Sequence, residues 1–109
     1  RGNARCAQGA RQLNIRYHVM ARREIVETTE YYGRQQIELG AEFLAEVNTA
    51  VERIAANPLQ FEQVCPNIRR YLLDQFPYGV YYRVLDADLV QIIVVKHHHR
   101  RPGFGMRRS

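Results

Sequence analysis

Hydrophobic and polar positions change rhythm several times along the chain, and each change marks an element. In LNIRYHVM, Ile15, Tyr17 and Val19 alternate with Asn14, Arg16 and His18, the two-residue period of a half-buried strand over about 14–20. Next, Ala21, Ile25, Thr29 and Tyr32 recur every three or four residues, which predicts a first helix with Gly33 as its C-terminal cap. After the polar GRQQ, an apolar stripe of Gly40, Phe43, Leu44, Val47, Val51 and Ile54 stands clear of Glu42, Glu46 and Glu52, and Asn57-Pro58 ends this second helix. So short a link predicts two antiparallel helices packed as a hairpin.

From Pro66 onward the pattern is that of strands. IRRYLLDQF lies between Pro66-Asn67 and Pro77, YGVYYRVL is rich in aromatic and β-branched residues, and LVQIIVVKH is an apolar run broken only by Gln91. Asp86-Ala87-Asp88 joins the last two tightly. The expectation is an α+β fold in the order β-α-α-β-β-β: a helical hairpin on one face of a mostly antiparallel sheet whose last strand is buried on both sides. One domain over 14–105 is expected, preceded by a disordered leader, 1–13, and followed by a basic tail, 106–109.

Composition narrows the class. A chain of 109 residues with 46% hydrophobic content suits one modest core. It holds no apolar run of eighteen residues and no apolar centre near its start, so neither a membrane span nor a signal peptide is read, and the expected location is the cytoplasm. Cys6 and Cys65 have no metal-ligand spacing around them and read as free thiols. The net charge of +5 is unevenly placed: residues 1–23 carry six arginines and no acid, residues 24–58 carry seven glutamates, and residues 96–109 carry five fixed positive charges and no acid. Basic ends around an acidic middle point to an anionic partner near the termini, or to tails that aid solubility.

Strand parity sorts the candidate chemistry. Tyr78, Val80, Tyr82 and Val84 share a face and read as core, which places Tyr81 and Arg83 on the uncovered face. Arg69 and Arg70 point oppositely, so at least one joins them. Such a face is able to bind phosphate or carboxylate, unless it is merely a solvated surface with arginines over tyrosine rings. His97 and His99 fall on one side and His98 on the other, so no tridentate metal site is expected. A histidine in this cationic field suits proton transfer, although exposed structural histidines are commoner. Signatures of serine hydrolases, P-loops, zinc proteases and dithiol redox sites are missing, and no cofactor is expected.

The ordered words Asn57-Pro58, Arg69-Arg70, Phe76-Pro77-Tyr78, Tyr82-Arg83-Val84 and His98-x-Arg100-Arg101-Pro102 closely resemble the RelE/ParE family of type II toxin–antitoxin toxins, often labelled plasmid stabilisation proteins. The resemblance covers about residues 14–105. It implies a growth-arresting toxin restrained by a cognate antitoxin, in one of two classes. RelE-type members cut messenger RNA on the ribosome, and in that case Arg69, Arg83, His98 and Arg100 are the implied catalytic set. ParE-type members bind and inhibit DNA gyrase without catalysis, and the implied partner-binding residues are then Arg69, Arg70, Tyr81, Arg83, His98, Arg100 and Arg101. The chain departs from the RelE pattern: Arg69-Arg70-Tyr71-Leu72 stands where a Lys-x-Lys element is usual, Gly79 where arginine is common, and Phe104 where a C-terminal tyrosine is used. A phenyl ring has no hydroxyl to give a proton. These departures favour the ParE-like branch.

Overall fold

A computed structural model of the chain describes residues 13–98. Strand β1 (Asn14–Tyr17) leads into helices α1 (Val19–Gln35) and α2 (Ile37–Ala56), followed by strands β2 (Glu62–Cys65), β3 (Ile68–Leu72), β4 (Tyr78–Asp86) and β5 (Leu89–His97). The five strands form one sheet in the order β1-β5-β4-β3-β2. β1 runs parallel to β5, and every other pairing is antiparallel. The α+β architecture with a helical hairpin on one face is as expected, with one strand more than the pattern indicated. Of the expected leader, Leu13 is anchored: its N–H donates to the Ala55 carbonyl at 3.0 Å and its side chain packs on the core. Residues 1–12 lie outside the described residues.

The first strand is shorter than its alternation implied, because His18 closes it. The His18 backbone is extended, its Nδ1 accepts the Met20 N–H at 3.0 Å, and α1 starts at Val19. A side-chain acceptor at this position satisfies one of the N–H groups that the first helical turn leaves unpaired. Gly33 is not a cap. It lies inside α1, which ends at Gln35, and the single residue Gln36 turns the chain into α2. The two helices approach closely at Gly40, where an added Cβ meets the Thr29 carbonyl oxygen at 2.9 Å and the Gly33 Cα at 3.0 Å, whereas a Cβ on Gly33 itself meets nothing within 4 Å.

Between the helices and the sheet lies the main core. Phe43, Ile54, Val80, Tyr82, Val90 and Ile92 are fully buried in it. Phe43 meets the rings of Tyr32, Phe76 and Tyr78 at 5.7, 5.3 and 5.3 Å between centroids. Glu46 on α2 accepts the Asp74 N–H at 3.1 Å and also the Gln75 N–H, tying the β3–β4 loop to the helix. Val84 departs from the parity reading: it is 36% exposed and lines a surface hollow with Leu59, Asn67 and Arg69.

β5 is buried on both sides, as its composition implied, and a bulge arranges it. Tyr81 pairs with Val94 but Tyr82 pairs with Ile92, which leaves Ile93 as the extra residue. Val90, Ile92 and Val95 therefore face the helices, while Ile93 and Val94 join Ile68 and Tyr81 in a second, smaller cluster on the other face. Where β1 stops short beside β5, Glu24 of α1 accepts the Val95 N–H at 2.9 Å. In the β2–β3 turn Asn67 has φ of 66°, a left-handed conformation that asparagine tolerates better than most side chains.

Candidate partner-binding face

The sheet face away from the helices carries its cations in rows set by strand register. In one row Glu62 of β2, Arg70 of β3, Tyr81 of β4 and Val94 of β5 stand side by side. The next row holds Leu72, Gly79 and Lys96. On the other side of Tyr81, Arg83 pairs with Gln91, which pairs in turn with Arg16 of β1. Gly79 makes the centre of this arrangement possible. A Cβ there stands 3.2 Å from the Tyr81 ring, 3.3 Å from Leu72 and 3.4 Å from the Arg70 side chain, so three neighbours converge over the backbone.

Tyr81 is the hub. It is 3% exposed, so its ring is a mount for cations more than a contact surface, which corrects the picture of an open tyrosine. The Lys96 ammonium sits 4.9 Å from the ring centroid, within reach of the negative π face. Arg70 donates to Glu62 in an ion pair of 2.5 Å, and the Tyr81 hydroxyl beside it also favours its charged form. Burial works to loosen the Arg70 proton, but Glu62 and Tyr81 together outweigh it, and the guanidinium is held above its usual range. Lys96 moves the other way, lowered first by burial and then by the charge of Arg70. Arg70 and Arg83 each keep a buried Nε–H with no acceptor.

The remaining candidates fall elsewhere. Arg69 is on the helix side: its guanidinium donates to the Phe61 carbonyl at 2.8 Å and lies near Tyr82, whose hydroxyl donates to the Pro58 carbonyl. Arg69 and Tyr82 thus hold the α2–β2 turn, and the open face takes Arg70 alone of the pair. His97 packs edge-on against Tyr78 at 5.2 Å on the helix side. His98 follows β5 in a turn, its backbone N–H donating to the Pro77 carbonyl at 2.9 Å. Arg100 and Arg101, with the segment to Ser109, lie outside the described residues. Among the described residues no three His, Cys, Asp or Glu side chains gather as a metal site requires.

Three members of the face escaped the strand-parity reading. Alternation along LVQIIVVKH puts Lys96 opposite to Gln91, and only the bulge at Ile93 brings both to the open side. Arg16 was visible as an outward position, but the parallel pairing that seats it beside Gln91 joins the first strand to the last. Glu62 belongs to a strand that FEQV barely announces. What the face offers chemically is a set of fixed positive charges around a buried ring, with one carboxylate among them, a geometry for gripping anionic groups.

A family model for the ParE toxin of the type II toxin–antitoxin system parDE matches residues 15–102, from β1 through β5 and beyond. The chain belongs to that family. Among solved structures it is similar to the chromosomal ParDE toxin–antitoxin system of P. aeruginosa, with a TM-score of 0.68 at 14% identity over 79% of this chain and 96% of that one. The intact E. coli RelBE toxin–antitoxin complex matches at 0.60 and 16% identity over 81% and 99%, and the isolated E. coli RelE toxin at 0.60 and 15% over 88% and 95%. These likenesses establish the shared fold. No protein of curated function matches the sequence. No described helix is long and apolar enough to cross a membrane.

Proposed function

We propose that this ParE-family toxin acts by binding and inhibiting DNA gyrase and is neutralised by a cognate antitoxin, both in the cytoplasm. The observation that carries the reading is the state of the open face. Its central cations are spent on internal partners, Lys96 on the Tyr81 ring and Arg70 on Tyr81 and Glu62, which is how a surface is built to be held rigid against another protein. Arg70, Arg83 and Tyr81 serve as the fixed part of the grip, and His98, Arg100 and Arg101 extend it. Gly79 and Phe104 stand where a nucleolytic relative would place an arginine and a proton-donating tyrosine. A second reading, a ribosome-dependent RNA endonuclease using Arg69, Arg83, His98 and Arg100, is favoured by the density of cations on one face, but Arg69 lies on the opposite side of the sheet from Arg83.

One purified sample decides between them. Plasmid supercoiling by DNA gyrase is expected to stop in its presence, while message bound to translating ribosomes stays intact. Cleaved message with unimpaired supercoiling overturns the proposal in favour of the nuclease. Co-expression with its cognate antitoxin is expected to relieve growth arrest.

A further inference from the structure

We infer that the outer edge of β1 is a pairing edge for β1 of a second copy of this chain, joined antiparallel about a two-fold axis. β1 and β2 are the two ends of the sheet. β2 is protected by a register shift between Gln63 and Cys65, and its Glu62 is committed to Arg70. β1 has no such shift: its register against β5 is regular from Asn14 to Tyr17. The Asn14 and His18 N–H groups donate inward to the Asp88 and Ile92 carbonyls at 2.8 and 2.9 Å, so alternation along a parallel ladder turns the backbone N–H and C=O of Ile15 outward. Among the described residues no strand lies on that side of β1.

Charge selects the occupant. A cleft of about 900 Å³ runs along β1, and its two ends differ in sign. At the Asn14 end stand Asp86 and Asp88 of the β4–β5 turn, and toward Tyr17 stand Arg16 and Arg22, the latter held 5.1 Å from the Tyr17 ring centroid. An acidic strand laid here would run past two aspartates, and a basic one past two arginines. An antiparallel copy of the same edge reverses the order, so the arginines of each chain meet the aspartates of the other, the self-complementarity that an isologous contact requires. Register follows from the same charges. Centring the axis on Arg16 would set two like charges directly opposite. Centring it on Ile15 sets Arg16 across from Asn14 of the second copy, next to Asp88, and lets the two Ile15 backbones exchange a pair of hydrogen bonds. A seam of 4 residues is short, so the dimer is a weak, concentration-dependent one. The axis of an antiparallel pair stands perpendicular to the sheet, so both open faces look the same way and two five-stranded sheets become one surface with a double set of cations.

The test follows the purified full chain by sedimentation over a range of concentrations and by amide hydrogen exchange. Wild type is expected to dimerise reversibly, more weakly at high salt, with the Ile15 amide gaining protection as the dimer fills. Arg16→Asp and Asp88→Arg are each expected to weaken self-association at least about tenfold. An equimolar mixture of the two is expected to restore a dimer, since each lost pair re-forms with its signs exchanged, and that recovery also shows both variants to be folded. A mixture no more associated than its parts overturns the inference, as does a wild-type chain that stays monomeric with its Ile15 amide unprotected. A dimer indifferent to both reversals uses another surface and overturns it too. Protection of Ile15 in a monomer would assign the edge to residues 1–12 of the same chain, and the second copy would be excluded.

Discussion

The two faces of the sheet are built from the same strands but obey different rules. Toward the helices, fifteen buried residues form one continuous cluster, with Tyr82 bonded to the Pro58 carbonyl and Arg53 to the Tyr71 hydroxyl at 2.8 Å. Toward the open side the buried hydrophobic cluster is the smaller one of Ile68, Tyr81, Ile93 and Val94, and around it stand Arg16, Arg70, Arg83 and Lys96. One face holds the fold and the other holds charge in place. Stability and binding are therefore separable by mutation, because side chains alternate between the two faces along each strand.

The sharpest attempt to break this division is a pair of truncations. Phe43→Ala removes a fully buried ring that touches three others, and a loss of about 3–5 kcal/mol in urea unfolding is expected. Ile93→Ala on the open side empties a small cluster bordered by flexible side chains, with an expected loss of about 2 kcal/mol, the low end for such a change. Equal losses would mean that the open face is as much core as the covered one.

A second pair probes the helical hairpin. Gly40→Ala drives a methyl to 2.9 Å from the Thr29 carbonyl oxygen, a backbone atom that cannot swing away, and about 1–3 kcal/mol is expected to be lost. A Cβ at Gly33 meets nothing within 4 Å, so Gly33→Ala is expected to stabilise by up to about 1 kcal/mol through helix propensity. Opposite signs at two glycines seven residues apart would establish that α2 bears on α1 through one of them only.

Much of the covered face was legible because burial imposes a period. The stripe from Phe43 to Ile54 and the apolar run of β5 announced themselves, and so did the turns at Pro66-Asn67 and Asp86-Ala87-Asp88, where the Asp86 side chain accepts the Asp88 N–H at 2.8 Å. The candidate site was half legible. Parity gave Arg83 and Tyr81 one face and separated Arg69 from Arg70, since alternation is a local property. It failed for Lys96, because a single bulge residue inverts every later position and leaves no mark in an unbroken run of Ile and Val. It also failed for Gly33, a glycine that resembles a cap but lies inside α1, which continues to Gln35.

Tyrosine ionisation offers a finer probe of the covered face. Burial pushes the Tyr82 hydroxyl up to about 12, against the opposing influence of the Arg69 charge. A phenol whose folded pKa lies above its unfolded one contributes stability that is whole below pH about 10 and is lost as pH climbs through about 12. Unfolding free energy is therefore expected to decline across that window. Tyr17 and Tyr32 are also raised, chiefly by burial, and add to the decline, so the difference between wild type and Tyr82→Phe isolates the one group. The variant is expected to lose about 1 kcal/mol at neutral pH, because the Pro58 carbonyl loses its donor, and to show a shallower fall in alkali. A variant whose alkaline decline parallels that of wild type would remove Tyr82 as its source.

The smallest expected effect lies on the open face and tests its independence most directly. Arg70→Gln removes a cation from the Glu62 pair and from the Tyr81 hydroxyl, yet Glu62 is exposed and returns to water at little cost. Salt-screened surface pairs contribute about 0–1 kcal/mol, so the melting temperature is expected to move by no more than a few degrees. Lys96 loses its cationic neighbour, and its ammonium, lowered partly by Arg70, is expected to move back toward the ordinary lysine range. That return is observable by NMR titration of the Lys96 side chain and does not depend on knowing the partner. Growth arrest on expression without antitoxin is expected to weaken well beyond what the stability change explains. A variant that melts like wild type and remains fully toxic would strip Arg70 of its assigned role. One that unfolds by several kcal/mol would show that the charged face also holds the fold, and the division between the two sides of the sheet would no longer stand.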